Sequence, residues 1–411
     1  MIKIEEIKIK GYKNIESASL TFNNFNVIIG ANNSGKSNFI QTISFLNYVI
    51  NSSLDDVEKA FSNGFISTNF NDIIPKSTFD NILVERKGLI SFELLFSNSE
   101  TNRLFTYLLE LDWSDEFLSD TVFKIKTEKL DVKELNKPGK SSIIFKREYE
   151  RVKYGTEFSK MDIIEKIPNH FSVIRLLKII AKIKDEYKDA IDSLNSIIRT
   201  PIFYFSHIEL LKAEKERVNA FNGRVVSFEL ENDIISLESN VNWDIFKDAL
   251  KSILRIEDVN VYLLGGDNKN EKIPKSKFIY FMHNKVMKSL NQFSDGTLLI
   301  IALITKILTS KNNLFLIEEP ENSTHPKALI DLLFFLKSFS ENVQFIITSH
   351  SIAILNKTKI EEIIASSINE NGQSELFNVS SRKELKNKLK NSRVNFSDEL
   401  FFNLEEKDEF E

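Results

Sequence analysis

Apolar and charged residues alternate through the opening segment IKIEEIKIKGY, the period-two pattern of a strand with one buried face. ASLTF continues in the same way, and FNVIIG is a short apolar run that ends in glycine. From 37 to 50 (SNFIQTISFLNYVI) the spacing lengthens to that of a helix. Residues 51–88 are Asn/Ser-rich and predict no element. Between 90 and 155 the segments LISFELLF, LFTYLLELDW and SSIIFKREYERVKY predict a second sheet, mainly antiparallel. A different period then begins: Val173, Leu176, Ile180, Ile183, Tyr187, Ala190, Leu194 and Ile197 recur at alternating steps of three and four, a heptad seam that stops at Pro201. At 1.5 Å per residue such a helix is only about 40 Å long. An amphipathic helix packed on its own domain and a dimerising coiled coil both satisfy the seam. Beyond it, 242–255 (NWDIFKDALKSILR) predicts an amphipathic helix, and TLLIIALITKIL predicts an apolar one whose start, NQFSDGT, carries turn and cap chemistry. The last strands predicted are 313–318 (NLFLIE) and 343–349 (VQFIITS), separated by the helix PKALIDLLFFLKSF, an order that favours parallel pairing.

Composition narrows the class. The 411 residues suffice for two or three domain-sized units or for one large domain with insertions. Apolar residues at 42% and charged residues at 27% supply a sizeable core and a solvated surface. No apolar run reaches the roughly 18 residues needed to cross a bilayer, and the N-terminus has the charge of a strand rather than of a leader, so the expected place is cytoplasmic, with no membrane partner. The absence of cysteine excludes disulfides, thiolate chemistry and cysteine zinc sites, and five His leave little scope for a histidine metal cluster. A net charge of -5 argues against a surface coated for nucleic acid. Two local basic stretches, 137–153 (KPGKSSIIFKREYERVK) and 382–393 (RKELKNKLKNSR), read as solvated faces.

Three motifs carry chemistry. Gly30-Ala-Asn-Asn-Ser-Gly-Lys-Ser37 fits G-x-x-x-x-G-K-[ST] and sits after an apolar strand at the start of a helix. Its glycines let the backbone wrap a phosphate, the helix N-terminus offers amide donors, Lys36 reaches the β- and γ-phosphates, and Ser37 holds Mg²⁺. At 315–326, FLIEEPENSTHP places Glu318 and Glu319 at a strand end. Alone they read as a solvated strand end; beside a phosphate loop, one carboxylate holds the Mg²⁺ shell and the next polarises an attacking water. In QFIITSHS, His350 follows another apolar strand, placed either as a satisfied hydrogen-bonding residue or to hold a γ-phosphate.

In order, GANNSGKS, FSDGT, LIEEPENSTHP and ITSHS resemble the ABC-type ATPase heads of the SMC and recombination-repair class, and more closely the OLD (overcoming lysogenization defect) family. The opening IKIKGYKNI…VIIGANNSGKSN also looks like that family's N-terminus, so the likeness covers about 1–50 and 285–360. It implies an α/β P-loop NTPase of the ABC-ATPase type, a mixed sheet with flanking helices plus an antiparallel β lobe and a helical insertion. The corresponding division is 1–155 for the first part of the head, 156–280 for the insertion, 281–370 for the second part and 371–411 for an extension. The resemblance makes Gly30, Asn32, Asn33, Ser34, Gly35, Lys36, Ser37 and Asn38 the Walker A region that binds ATP, and places Lys13 near the phosphates. Ser37 and Glu318 hold Mg²⁺, Glu319 is the catalytic base, His350 is the switch histidine, and Ser294 and Gly296 belong to the signature motif. In such heads the signature of one subunit covers the γ-phosphate held by the other, so ATP joins two copies into a homodimer.

The sequence departs from that family's pattern in places. Glu318 replaces the usual Asp, Asp295 the first Gly of the signature, and Thr297 its Gln or Glu; Thr324 and His325 replace Leu and Asp, and no Q-loop glutamine is assignable. Because an acidic side chain is repelled by a triphosphate, Asp295 is expected to point away, leaving the Ser294 hydroxyl and the Gly296 amide to make the contact. OLD nucleases continue into a TOPRIM domain, and FSDELFFNLEEKDEFE stops where it would begin, reading as an acidic tail. The implied role is the ATPase of a prokaryotic anti-phage system working with a separate effector, a nuclease or toxin. A repair ATPase that clamps DNA and a scaffold that sequesters a toxin are the rival implications.

Overall fold

A computed structural model describes residues 1–51, 86–115, 122–135, 137, 139–155, 165–178, 185–200, 202–205, 230–264, 267–268, 271–272 and 276–382. The chain opens with a hairpin of β1 (Ile2–Tyr12) and β2 (Ile15–Thr21), then β3 (Phe25–Ile29) and helix α1 (Lys36–Asn51). Five antiparallel strands follow: β4 (Arg86–Asn98), β5 (Arg103–Asp115), β6 (Val122–Glu134), β7 (Ser142–Glu148) and β8 (Arg151–Tyr154). Next come α2 (Val173–Leu177), α3 (Asp185–Ile198), β9 (Ile202–Tyr204), α4 (Leu230–Glu238) and α5 (Trp243–Leu254). Strands β10 (Asp258–Leu264), β11 (Asp267–Asn268), β12 (Glu271–Lys272), β13 (Ser276–His283) and β14 (Val286–Lys288) lead to α6 (Asp295–Thr309). The chain then runs through β15 (Leu314–Glu318), α7 (Pro326–Phe339), β16 (Gln344–Ser349), α8 (Ile352–Leu355), β17 (Ile363–Ile368) and β18 (Ser374–Asn378).

One 13-stranded mixed sheet runs in the order β8-β7-β6-β5-β4-β1-β2-β18-β17-β3-β16-β15-β9. The antiparallel strands between 90 and 155 are therefore not a separate sheet. The long β1 pairs with β2 on one side and with β4 on the other, which fuses the lobe to the parallel core. Nor are β15 and β16 the last strands: β17 and β18 follow, form an antiparallel pair, and β17 joins β3 in parallel. Their sequences, IIASSI and SELFN, carry too many hydroxyl and acidic residues to show a clear hydrophobic period.

Alternation along the parallel strands sorts the helices into two layers. Leu314, Leu316 and Ile346 pack with Phe39, Ile43 and Leu46 of α1, with Val173 and Leu177 of α2, and with Leu194 of α3. Phe315, Ile317, Phe345 and Ile347 pack instead with Ile234 of α4, Leu250 of α5, Ile301 and Ile304 of α6 and Leu332 of α7. The heptad seam belongs to the first layer. Val173, Tyr187, Ala190, Leu194 and Ile197 are buried in the chain's own core, while Ile180 and Ile183 lie outside the described residues. The seam's described residues thus face the domain they belong to and not a partner helix.

In the basic stretch 137–153, Lys137 and Lys146 form exposed ion pairs and Arg147 turns into the core. Lys137 reaches Glu134 at 2.6 Å and Lys146 reaches Glu148 at 2.6 Å. Arg147 is fully buried, donates to the carbonyls of Ile167 and Pro168, and lies 3.9 Å from Glu128. Burial holds its guanidinium below its ordinary value against the pull of Glu128. Of the second basic stretch only Arg382 is described, and the acidic segment at 396–411 also lies outside the described residues. Among the described residues no helix is long and apolar enough to cross a membrane.

Candidate nucleotide-binding site

Strands β3, β16 and β15 run parallel, so their carboxyl ends meet at one edge: Ile29 stands opposite Ser349, and Thr348 opposite Glu318. Ligands of α/β sheets bind at this edge, where loops leave the strands and helix N-termini begin. The loop after β3 is cramped enough to explain its glycines. A Cβ on Gly30 would lie 2.0 Å from the carbonyl oxygen of Ser366, and one on Gly35, at φ +102°, would lie 2.1 Å from the Ser374 hydroxyl. Ser366 also donates its hydroxyl to the Ser34 carbonyl at 2.8 Å. The β17–β18 hairpin thus braces the loop from beneath. The motif gave no sign of this brace, because Ser366 and Ser374 lie more than 300 residues away and carry no signature.

Lys36 is 4% exposed and donates to the carbonyls of Gly30 at 2.9 Å and Ala31 at 2.7 Å. Burial lowers its ammonium below the ordinary lysine value, and Glu319, Glu321 and Glu318 pull it partly back. The Ser37 hydroxyl donates to the Glu318 carboxylate, so a hydroxyl oxygen and a carboxylate oxygen meet beside the loop. That oxygen pair suits Mg²⁺, a hard cation usually held by few protein oxygens and several waters. Asn32 and Asn33 stand exposed on the rim, Asn33 at φ 66°. Asn38 donates to the side chain of Asn14. Lys13, at φ 53° in the β1–β2 turn and 8% exposed, donates to Gln41 of α1, and the Ser374 amide bonds the Asn14 carbonyl at 2.7 Å. The turn carrying Lys13 is therefore docked onto the first turns of α1 and the start of β18.

Glu319 takes a different course from Glu318. It sits at φ 48° immediately before Pro320, a conformation costing about 1–3 kcal/mol that only surrounding contacts can hold. Its amide bonds the Thr348 carbonyl at 2.9 Å, and its carboxylate accepts from the Asn322 side chain at 2.7 Å. His350 stands across from it, with Nδ1 3.8 Å from Glu319 Oε1 and 3.3 Å from Glu321 Oε1. Glu321 is a residue to which sequence reasoning gave no role. It accepts from the Ser349 hydroxyl and the His350 amide, both at 2.7 Å. The one signal for it was a third carboxylate directly after the Glu-Glu-Pro run.

The signature residues lie elsewhere. Ser294 caps α6, accepting from the Thr297 amide at 3.4 Å and sharing a 2.9 Å bond with its hydroxyl. Asp295 is exposed in the first turn, where a negative charge suits the helix dipole. Gly296 is buried, and a Cβ there would fall 1.7 Å from the Ser323 carbonyl oxygen. This glycine therefore has a steric task inside its own chain, beyond any amide it offers. Ser323 in turn donates to the Phe205 carbonyl at 3.2 Å, which ties the loop that follows Glu318 and Glu319 to the residue after β9. His325, where related heads carry Asp, caps α7 by accepting from the Lys327 amide at 3.3 Å. Helix α6 packs on the face of the sheet opposite α1, and among the described residues no hydrogen bond joins Ser294 to the loop at 30–37.

A phosphate loop of the Walker A pattern, with a carboxylate strand end and a histidine strand end beside it at the edge of one mixed sheet, defines an α/β fold of the P-loop NTPase class. A family model described as "AAA domain, putative AbiEii toxin, Type IV TA system" matches residues 25–356, and the chain belongs to that family. Among solved structures, the chain is similar to an SMC head bound to the C-winged helix domain of ScpA, at 13% identity and TM-score 0.47, over 92% of this chain and 99% of that one. It is similar to the SMC head domain from Thermotoga maritima at 12% identity and TM-score 0.43, over 92% and 98%. It is also similar to the SMC head with extended coiled coil bound to the C-terminal domain of ScpA, from Pyrococcus furiosus, at 13% identity and TM-score 0.48, over 95% and 100%. No curated protein matches the chain.

Proposed function

We propose that the chain binds ATP at the loop 30–37, closes with a second copy across two nucleotides, and reopens on hydrolysis to ADP and phosphate. The observation that carries this reading is the convergence of Lys36, the Ser37–Glu318 contact, Glu319 and His350 at the ends of three parallel strands. Lys36 would exchange the carbonyls of Gly30 and Ala31 for phosphate oxygens, with Lys13, Asn32, Asn33 and Asn38 around the loop. Ser37 and Glu318 would hold Mg²⁺, which when bound neutralises phosphate charge. Glu319, strained and oriented by Asn322, takes the proton of the attacking water. His350 faces the γ-phosphate side, and Ser294 and Gly296 of the second copy cover it.

The OLD-like sequence pattern and the toxin and type IV TA system named in the family description support a biological setting. In that setting the chain is the ATPase of a prokaryotic anti-phage system that acts with a separate nuclease or toxin. The test is phosphate release from ATP by the purified chain, with and without EDTA. Mg²⁺-dependent release that disappears in Lys36→Ala is expected; release that survives that substitution would refute the assignment of the loop.

A further inference from the structure

The proposed hydrolysis uses Glu318, Glu319 and His350 and leaves Glu321 without a part, although Glu321 is the more enclosed of the two carboxylates at the histidine. Its side chain is 10% exposed, against 25% for Glu319 and 39% for His350. A single oxygen, Oε1, gathers the Ser349 hydroxyl at 2.7 Å, the His350 amide at 2.7 Å and His350 Nδ1 at 3.3 Å. The Ser349 hydroxyl in turn accepts from the Ser351 amide at 2.9 Å, so the whole turn out of β16 hangs on this carboxylate. The other oxygen, Oε2, is buried and accepts no hydrogen bond from the described residues, an arrangement that costs free energy. Glu321 also pulls on the ammonium of Lys36, which puts it within electrostatic reach of the phosphate loop.

We propose that Glu321 is a positioning residue that sets His350 for the reaction, a role that rests on the ATPase reading above. Oε1 accepts from the backbone amide of His350 and, with Nδ1 carrying a hydrogen, would accept from the ring as well, fixing both its place and its rotation. Nε2, on the far side of the ring from Nδ1, is then the nitrogen left for the nucleotide. Glu319 stands 3.8 Å from Nδ1, close enough to compete for it. Glu321 removes that competition, keeping Nδ1 on itself and the Glu319 carboxylate available for water. A ligand's own orienting partner is a common requirement where a histidine has to present one chosen nitrogen.

The test is a double-mutant cycle in steady-state ATP hydrolysis. Glu321→Ala should lower kcat about tenfold, the scale of one hydrogen bond to the ring, and leave KM within about twofold. Added to His350→Ala it should lower kcat no further, since a residue acting only through the histidine has nothing left to act on. Glu321→Gln keeps an acceptor oxygen and should stay within about threefold of the parent. A tenfold loss that persists in the His350→Ala background would overturn the proposal, as would a change confined to KM. If Glu321→Ala unfolds, as its melting curve would show, Glu321→Gln decides: a loss as deep as that of His350→Ala contradicts positioning by acceptance. Failure of the ATPase reading looks different, because then the parent releases no phosphate or Lys36→Ala releases as much as the parent.

Discussion

The two halves of the proposed nucleotide site are built in opposite ways. Around Lys36 the polar groups are interlocked: its ammonium lies on two loop carbonyls, Ser37 on Glu318, Ser349 on Glu321 and Asn322 on Glu319. At the other half, Ser294 is exposed and its hydroxyl is engaged with Thr297 of its own helix. The first half is, in the proposed reading, a phosphate cradle built within one chain. The second is a finished helix cap on the opposite face of the sheet, with no phosphate loop of its own to address. The difference teaches that burial and a mesh of internal hydrogen bonds mark the half proposed to hold the nucleotide, whereas an exposed helix cap marks the half proposed to be offered to another copy.

Substitutions can break that comparison, and Lys36→Ala should do most. Losing a buried ammonium from a phosphate site costs about 2–5 kcal/mol, so titration with a fluorescent ATP analogue should show no binding at micromolar nucleotide, and hydrolysis and ATP-dependent association should go with it. Ser294→Arg should spare the cradle and remove the partner's half. Its affinity for the analogue should match the parent's, while light scattering shows no gain in mass with ATP and phosphate release is lost. Glu319→Gln should separate chemistry from assembly, lowering phosphate release by about 10²–10⁴ while an ATP-bound dimer accumulates on a sizing column.

Two smaller effects sharpen the account of the helix start. Gly296→Ala drives a methyl group into the Ser323 carbonyl, so the start of α6 or the Ser323 loop has to shift, at about 1–3 kcal/mol. Thermal unfolding should record that loss, together with weaker ATP-dependent association. Ser294→Ala removes the cap alone and should cost about 1 kcal/mol, whereas Ser294→Asp preserves the cap and the melting temperature but sets a negative charge against the partner's triphosphate. If the aspartate variant associates as well as the parent, Ser294 is a cap and nothing more.

Much of the cradle was legible because its signals are local. The phosphate loop, the carboxylate strand and the histidine strand each announce themselves within about ten residues, and α1, α5, α7, β15 and β16 fall close to where periodicity predicts them. What escaped was long-range. The union of two expected sheets depends on β1 pairing along both edges, and the brace under Gly30 and Gly35 comes from Ser366 and Ser374, whose strands show no clear period. Glu321 read as one more acid in a motif, since its meaning lies in Ser349 and His350 of the next strand. The heptad seam was visible, but whether it faced inward or outward depended on α1, more than a hundred residues earlier.

The central claim is that each nucleotide is held by the cradle of one copy and the helix cap of another, and mixing two crippled chains tests it most directly. Lys36→Ala keeps its cap and lacks its cradle, and Ser294→Arg keeps its cradle and lacks its cap. Each alone should stay at single-chain mass with ATP and release no phosphate; mixed, they should show an ATP-dependent gain in mass and recover phosphate release from the one complete site. A mixture that remains at single-chain mass and silent would contradict the account.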